Sequence, residues 1–244
     1  MAPAIEGRNM TTKYDLGMPE LDKALGGIQS GTNVMLMGPP MCGKDVIIKQ
    51  VIYTGLKNGD GAILVSTGEP GESIFKWFEQ NKLDIERDKS RFGIVDCVSK
   101  TLGMDVSDTP NIKRASSPVD LTGIGVKISQ FFEQFYVRNK LPRARLAVDS
   151  LSTMLMYSNL QTVFRFLHVF TGRIKAAEAL GVYVLEAGMH DDKTVATLKK
   201  LFDGAIEIKE ESDQFFIKTM GIGSKPSKWM KYEIDGPRIV IKGD

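Results

Sequence analysis

Short apolar runs alternate along this chain with longer amphipathic stretches. The apolar runs predict strands over residues 33–37, 61–66, 92–98, 145–148 and 182–185. The stretches between them predict helices over residues 45–57, 73–81, 119–140, 160–180 and 194–202. Strands that are apolar throughout and alternate with helices are typical of a parallel sheet covered on both faces. Because such units connect with a right-handed crossover, we expect a doubly wound α/β fold.

The pattern changes beyond Leu201 to strand-like alternation with little helix. Segments of this kind cover residues 204–210, 213–220, 229–235 and 238–244. They predict antiparallel strands that extend one edge of the same sheet. No Pro/Gly/Ser linker, low-complexity tract or internal repeat interrupts the sequence. We therefore expect one domain that spans residues 1–244.

The start of the helix predicted over residues 119–140 has a capping pattern. Ser117 supplies a capping hydroxyl, Pro118 suits the first helical position, and Asp120 suits the third. We interpret these residues as local architecture with no catalytic role.

Composition narrows the class of protein without identifying a partner. The chain has 42% hydrophobic and 25% charged residues, which is typical of a globular domain and excludes collagenous, disordered and coiled-coil classes. Thirty-two Lys and Arg against thirty Asp and Glu leave a net charge of +2, so bulk charge favours no partner.

Cysteine usage and the N-terminus suggest a compartment. Cys42 and Cys97 are too few for a disulfide framework, and their spacing matches no metal-binding pattern. The first ten residues do not read as a secretory signal, and no apolar run is long enough to span a bilayer. We expect a cytoplasmic protein with no membrane association.

The segment GPPMCGKD, residues 38–45, matches the pattern G-x-x-x-x-G-K between an apolar strand and an amphipathic helix. We call it the phosphate loop. Gly38 and Gly43 allow a tight turn whose N–H groups face inward, and Lys44 adds a charge toward the β and γ phosphates. The pattern predicts binding of ATP or ADP. The predicted binding residues are Gly38, Pro39, Pro40, Met41, Cys42, Gly43, Lys44, Asp45 and Val46.

The last position of the phosphate loop departs from the usual pattern. Ser or Thr normally follows the lysine and binds Mg²⁺ through its hydroxyl, but here the residue is Asp45. A carboxylate can bind Mg²⁺, yet it also repels the nearby phosphates, which puts ordinary use of Mg-ATP in doubt. An alternative is that Asp45 simply favours the first turn of the helix.

Three longer segments resemble a known family. Residues 17–31 (GMPELDKALGGIQSG) lead into the phosphate loop and are similar to the opening of archaeal KaiC-like ATPases of the RecA superfamily, which also includes RadA paralogues. The likeness continues through residues 116–129 and 147–157. This resemblance implies a RecA-like P-loop fold, and a homo-oligomeric ring or filament with the site between protomers.

The resemblance implies roles for two further acids. Asp149 matches the Walker B aspartate that orients the Mg²⁺ hydration shell, although it could instead cap the turn that follows its strand. Glu69 matches the glutamate that activates the attacking water, with a solvated turn residue as the alternative. Many relatives carry two adjacent acids there, whereas this chain has Gly68 before Glu69.

The resemblance also implies a contribution from a neighbouring subunit. The family uses a Lys-x-Arg pair that reaches the γ phosphate, and the matching segment 218–224 keeps Lys218 but has Met220 in place of the arginine. Such an arginine contributes a factor of about 10³ to 10⁵ in rate. Asp45, Gly68 and Met220 together predict weak or lost hydrolysis.

Two further segments leave the partner open. Residues 215–232 carry Lys218, Lys225, Lys228 and Lys231 among aromatic residues. This basic and aromatic segment suits a subunit interface best. The alternatives are a solvated sheet edge and a surface that binds single-stranded DNA. A recombinase-paralogue accessory protein that binds DNA or a recombinase is the second hypothesis.

His190 lies in a loop with two acids, where a metal site is not favoured. Cys42 lies where a helix N-terminus can lower a thiol pKa, without a favoured redox role.

Overall fold

The computed structural model describes residues 13–223 and 227–242. The strands in this part of the chain are β1 (Lys13–Tyr14), β2 (Ile28–Gln29), β3 (Asn33–Gly38), β4 (Gly61–Ser66), β5 (Phe92–Asp96), β6 (Ile112–Arg114), β7 (Ala144–Val148), β8 (Leu180–Glu186), β9 (Gly204–Glu211), β10 (Gln214–Met220), β11 (Met230–Asp235) and β12 (Arg238–Ile241). The α-helices are α1 (Pro19–Leu25), α2 (Lys44–Lys57), α3 (Gly71–Gln80), α4 (Leu121–Phe132), α5 (Leu151–Tyr157), α6 (Leu160–Ala176) and α7 (Asp192–Lys199).

Ten of these strands form one sheet in the order β12-β11-β10-β9-β3-β8-β7-β4-β5-β6. The strands from β9 to β6 are parallel, and β10, β11 and β12 continue the sheet as antiparallel neighbours. This order confirms the predicted doubly wound α/β fold with antiparallel C-terminal strands. β1 and β2 form a separate antiparallel pair.

Alternate side chains of the sheet enter two hydrophobic cores. On one face, α1, α2 and α3 pack against residues such as Val34 and Leu36. On the other face, α4, α5, α6 and α7 pack against residues such as Met35 and Val65. Because both faces are covered, the central strands are apolar throughout, which is the pattern seen in the sequence.

Some predicted helix boundaries are wrong for identifiable reasons. α4 begins at Leu121 because the Asp120 carboxylate accepts a hydrogen bond from Gly123 N at 2.8 Å. Asp120, not Ser117, is therefore the capping residue. A π-helical turn, Glu133–Arg138, continues α4 and ends the helical segment before residue 140. α6 ends at Ala176 rather than 180, because β8 already begins at Leu180.

The carboxyl ends of the parallel strands meet at one edge of the sheet. β3 ends at Gly38, β8 ends at Glu186, and Asp149 follows β7. Ligands of open α/β sheets bind at this edge, and it holds the phosphate loop. No helix in the described ranges has both the length and the apolar character needed to cross a bilayer.

Candidate functional site

The phosphate loop joins the end of β3 to the start of α2. Gly43 precedes α2 in a left-handed conformation with φ of 80°, and no side chain caps the helix. Met41 is also left-handed, with φ of 61°, and its side chain is 93% exposed. The N–H groups of the first turn therefore lack a side-chain acceptor, which together with the helix dipole favours an anion at this position.

The C-terminal hairpin β11–β12 supports the phosphate loop from one side. The Tyr232 hydroxyl donates a hydrogen bond to the Cys42 carbonyl oxygen. A Cβ atom at Gly43 would lie 2.7 Å from the Cδ1 atom of Ile234, so the hairpin packs directly on the loop. Ile239 N donates to the Gln50 side chain on α2 at 2.8 Å. The hairpin thus fixes both the loop and the helix that follows it.

Lys44 points into the buried side of the loop, and protein groups surround its ammonium group. Its Nζ atom donates to the Pro39 carbonyl oxygen, lies 3.5 Å from Cys42 Sγ, and lies 3.1 Å from Glu186 Oε2. Glu186 is a site residue that the sequence reasoning missed. It is the first acid after the apolar run 182–185, but its position beside Lys44 follows from the pairing of β8 with β3, which periodicity does not predict.

The backbone of Glu186 is held on two sides. Glu186 pairs with Gly38 in the parallel register of β8 and β3, and Ala187 N donates to the Gly38 carbonyl oxygen at 2.9 Å. Its own N–H donates to Ser152 Oγ at 3.0 Å, and His190 Nε2 lies 2.9 Å from the same hydroxyl. The loop after β8 is therefore tied to α5 through Ser152.

Asp149 lies at the end of β7, and its carboxylate faces the end of β4. Thr67 N donates to both carboxylate oxygens at 2.9 Å, and Thr67 Oγ1 donates to Oδ1 at 2.7 Å. Desolvation by the surrounding protein raises the pKa of Asp149 above its ordinary value, although these hydrogen bonds oppose the shift. Ser150 caps α5 by accepting from Thr153 N, so the alternative that Asp149 is the cap is wrong.

Glu69 is fixed by an ion pair with α2. Lys49 Nζ lies 3.0 Å from Glu69 Oε1 and 4.7 Å from the centroid of the Trp77 ring. The Ser66 hydroxyl is within hydrogen-bond distance of both the Glu69 backbone and the Asp149 carboxylate. The two predicted acids therefore lie at adjacent strand ends. Glu69 is therefore not a freely solvated turn residue.

Asp45 and Lys218 occupy different surroundings. Asp45 is exposed in the first turn of α2, next to the predicted phosphate position. Lys218 lies on β10, where its Nζ atom is 3.3 Å from Glu207 Oε2 and 4.5 Å from the Trp229 ring centroid. No contact among the described residues brings Lys218 to the phosphate loop of its own chain. Ser224 and Lys225 lie outside the described residues.

A sequence profile decides the family. The profile of a family of unknown function (DUF7504) matches residues 31–208, which is most of the chain. The chain belongs to DUF7504. The match begins before the phosphate loop and ends in β9, so it includes the predicted phosphate, metal and water-activating residues apart from Lys218.

Relatives of this DUF7504 protein confirm the KaiC-like resemblance. A UPF0273 protein of Saccharolobus solfataricus is 25% identical over 142 residues, which cover 57% of this chain and 48% of that protein. The circadian clock oscillator protein KaiC of Prochlorococcus marinus subsp. pastoris is 28% identical over 160 residues, covering 63% of this chain and 28% of that protein. The chain thus spans about half the length of the first relative and about a quarter of the second.

A solved structure confirms the fold. A KaiC-like protein from Pyrococcus horikoshii OT3 aligns with the DUF7504 protein with a TM-score of 0.70 at 17% identity, covering 95% of this chain and 99% of that one. The DUF7504 protein is therefore a KaiC-like member of the RecA-type P-loop fold.

The chemistry of Cys42 differs from the expectation. The thiol is buried, and desolvation raises its pKa, with only a partial opposing effect from Lys44. The prediction of a lowered pKa is wrong because burial outweighs the helix N-terminus and the lysine. In the described ranges, no three His, Cys, Asp or Glu side chains lie close enough to hold a metal ion alone. A metal at Asp45 or Asp149 would therefore need other ligands, such as phosphate oxygens or water.

Proposed function

We propose that this protein binds ATP or ADP at residues 38–46, with weak or lost ATP hydrolysis. One observation carries the proposal: the first turn of α2 has no side-chain cap, and Lys44 is buried beside it. This arrangement supplies N–H donors, a helix dipole and a cation for phosphate groups.

Different residues around the phosphate loop would contact the phosphates and the metal. Lys44 would hold phosphate oxygens, while Asp149 and Asp45 would face the metal. When bound, Mg²⁺ supplies positive charge that offsets the charge of the phosphates. Asp149 fits this role because its carboxylate lies at the same sheet edge. Asp45 fits it less well, since its charge also repels phosphates at short range.

Several features support weak turnover. Glu69, the candidate general base, is ion-paired with Lys49 at 3.0 Å, so its carboxylate is held by a protein cation and is not free to face an attacking water. Gly68 removes the neighbouring acid. Met220 cannot supply the transition-state charge stabilisation of an arginine. Together these features favour nucleotide binding with little ATP hydrolysis.

Calorimetric titration with ATP and ADP, with and without Mg²⁺, tests the proposal. We expect saturable binding that is lost in Lys44→Ala. Lys23→Ala is the matched control, because Lys23 is exposed in the last turn of α1 and should leave binding unchanged. Absence of binding to either nucleotide would refute nucleotide binding. Rapid Mg²⁺-dependent hydrolysis that requires Lys44 would refute weak turnover.

We propose a cytoplasmic homo-oligomer, a ring or filament with Lys218 at the protomer boundary. The alternative is an accessory protein that binds single-stranded DNA or a recombinase. The Trp229 ring is covered by Lys209 and Lys218, at 5.1 and 4.5 Å from its centroid, which leaves less of it for base stacking. Salt-dependent DNA binding that is lost when Lys225, Lys228 and Lys231 change together would favour the alternative.

A further inference from the structure

The order of the strands places Glu186 between the phosphate loop and the predicted metal and catalytic acids. β8 lies between β3, which leads into the phosphate loop, and β7, which leads into Asp149. β4, which leads toward Glu69, is the next strand beyond β7. A terminal phosphate that reaches from Lys44 toward Asp149 and Glu69 must therefore pass over the carboxyl end of β8. Glu186 is the residue at that end.

The Glu186 carboxylate already occupies a place suited to a phosphate group. Its Oε2 atom is 3.1 Å from Lys44 Nζ. The same oxygen is buried and accepts no hydrogen bond from the described residues, so the charge of Lys44 is what stabilises it there. The Glu186 side chain as a whole is 29% exposed, so a carboxylate that gives up Lys44 can turn toward solvent. An anion that binds Lys44 at the place of this carboxylate has to displace the Glu186 side chain.

The backbone of Glu186 cannot move away with the side chain. Pairing with Gly38 and the hydrogen bond to Ser152 Oγ hold it in the sheet. Separation of the carboxylate from Lys44 therefore requires rotation of one of the two side chains. Even after rotation, the negative charge stays near the end of β8 and close to the path of a third phosphate.

We propose that Glu186 occupies the position of the third phosphate and makes the site selective for nucleoside diphosphates over triphosphates. This inference rests on the proposed nucleotide binding. The first two phosphates lie over the loop and the first turn of α2, where N–H groups face them. The third phosphate meets the carboxylate, and two like charges at short range repel strongly in a partly buried site.

Asp45 does not explain such selectivity. It is exposed in the first turn of α2, and none of its described contacts joins it to Lys44. Its charge acts on the phosphates that the helix binds, which both nucleotides have. Glu186 is distinguished by its direct contact with Lys44 and by its place in the strand order.

The test compares the dissociation constants of ADP and a non-hydrolysable ATP analogue, measured by calorimetry in EDTA so that no divalent cation screens Glu186. We expect the wild type to bind ADP more tightly. Glu186→Gln keeps the shape and removes the charge, and should lower the ratio of the two constants by about tenfold or more, mainly through tighter binding of the ATP analogue. Glu79→Gln, an exposed glutamate on α3, is the control and should leave the ratio unchanged.

The outcomes separate the two proposals. A ratio that Glu186→Gln leaves unchanged, with both nucleotides still bound, overturns the selectivity of Glu186 and leaves nucleotide binding intact. A wild type that prefers the ATP analogue also overturns it. If neither nucleotide binds to the wild type or to Glu186→Gln, nucleotide binding itself is wrong, and the selectivity fails with it.

Discussion

Two lysines of α2 hold acids from the ends of two other strands. Lys44 pairs with Glu186, the last residue of β8, and Lys49 pairs with Glu69, which follows β4. Both lysines are buried, so each ion pair has less solvent screening than a surface pair. The charges around the phosphate loop are therefore arranged by ion pairs within the protein.

Only part of the environment of Asp149 could be predicted from the sequence. Its position at the end of an apolar strand was predictable, because strand ends are visible in the hydrophobic pattern. Its hydrogen bonds with Thr67 and Ser66 were not, since they depend on the pairing of β4 with β7. The same limit explains why Glu186 was missed.

The raised pKa of Asp149 predicts a pH-dependent effect of Asp149→Asn on stability. The folded protein binds a proton at Asp149 more tightly than the unfolded chain, whose aspartate has the ordinary value of 3.8. This contribution to wild-type stability is present at low pH and is lost as the pH rises through the folded-state pKa. Asparagine lacks this dependence.

We therefore expect the free energy of unfolding of Asp149→Asn, relative to wild type, to be most favourable near neutral pH and to decline on acidification. Urea unfolding at a series of pH values, without Mg²⁺, measures it. Other carboxylates contribute equally to both proteins and cancel in the difference. A difference that does not vary with pH would contradict the raised pKa.

Among the secondary-structure elements, the C-terminal hairpin packs directly on the phosphate loop. Its strands were predicted from alternation alone, and β11 and β12 confirm that prediction. Its contact with the phosphate loop was not predictable, because Tyr232 and Cys42 are 190 residues apart in sequence. Local periodicity determines the strand, while the tertiary fold determines which loop it supports.

Replacement of Tyr232 tests this support. Tyr232→Phe keeps the ring and removes the hydroxyl that donates to the Cys42 carbonyl oxygen. We expect a loss of about 1 kcal/mol in the free energy of unfolding, the usual contribution of one hydrogen bond, and weaker ADP binding. Urea unfolding and calorimetry provide the two measurements.

Tyr157→Phe is the matched control, because Tyr157 is 69% exposed at the end of α5. It should change neither quantity. If Tyr232→Phe lowers stability but leaves ADP affinity unchanged, the hairpin stabilises the fold without shaping the phosphate loop.

At the scale of the whole molecule, a buried ion network holds the amino-terminal edge of the sheet, opposite the site. Asp60 and Arg145 are both buried, and Arg145 Nε donates to Asp60 Oδ2 at 2.8 Å. Arg143 Nε donates to the other Asp60 oxygen at 2.8 Å. Arg145 lies in a strand that reads as apolar in the sequence, and its burial depends on an acid 85 positions away. Sequence pattern alone could not predict this network.

Asp60→Asn should therefore be strongly destabilising. It removes the buried charge that Arg143 and Arg145 share, and among the described residues it leaves Arg145 only the half-exposed Asp15 as an acid partner. We therefore expect a loss of about 3 kcal/mol in the free energy of unfolding. Asp105→Asn, at an exposed aspartate, is the control and should change stability little. A small effect of Asp60→Asn in urea unfolding would show that the network contributes little to stability.

We propose that the phosphate loop binds nucleotide while ATP hydrolysis is weak or lost. The most direct measurement incubates the protein with Mg-ATP, quantifies the nucleotide retained, and follows phosphate release in the same samples for wild type and Lys44→Ala. We predict that wild type retains nucleotide, that Lys44→Ala retains none, and that wild type releases phosphate at a rate close to the background rate of Lys44→Ala. Rapid phosphate release that disappears in Lys44→Ala would show that this site hydrolyses ATP efficiently, and weak turnover would be wrong.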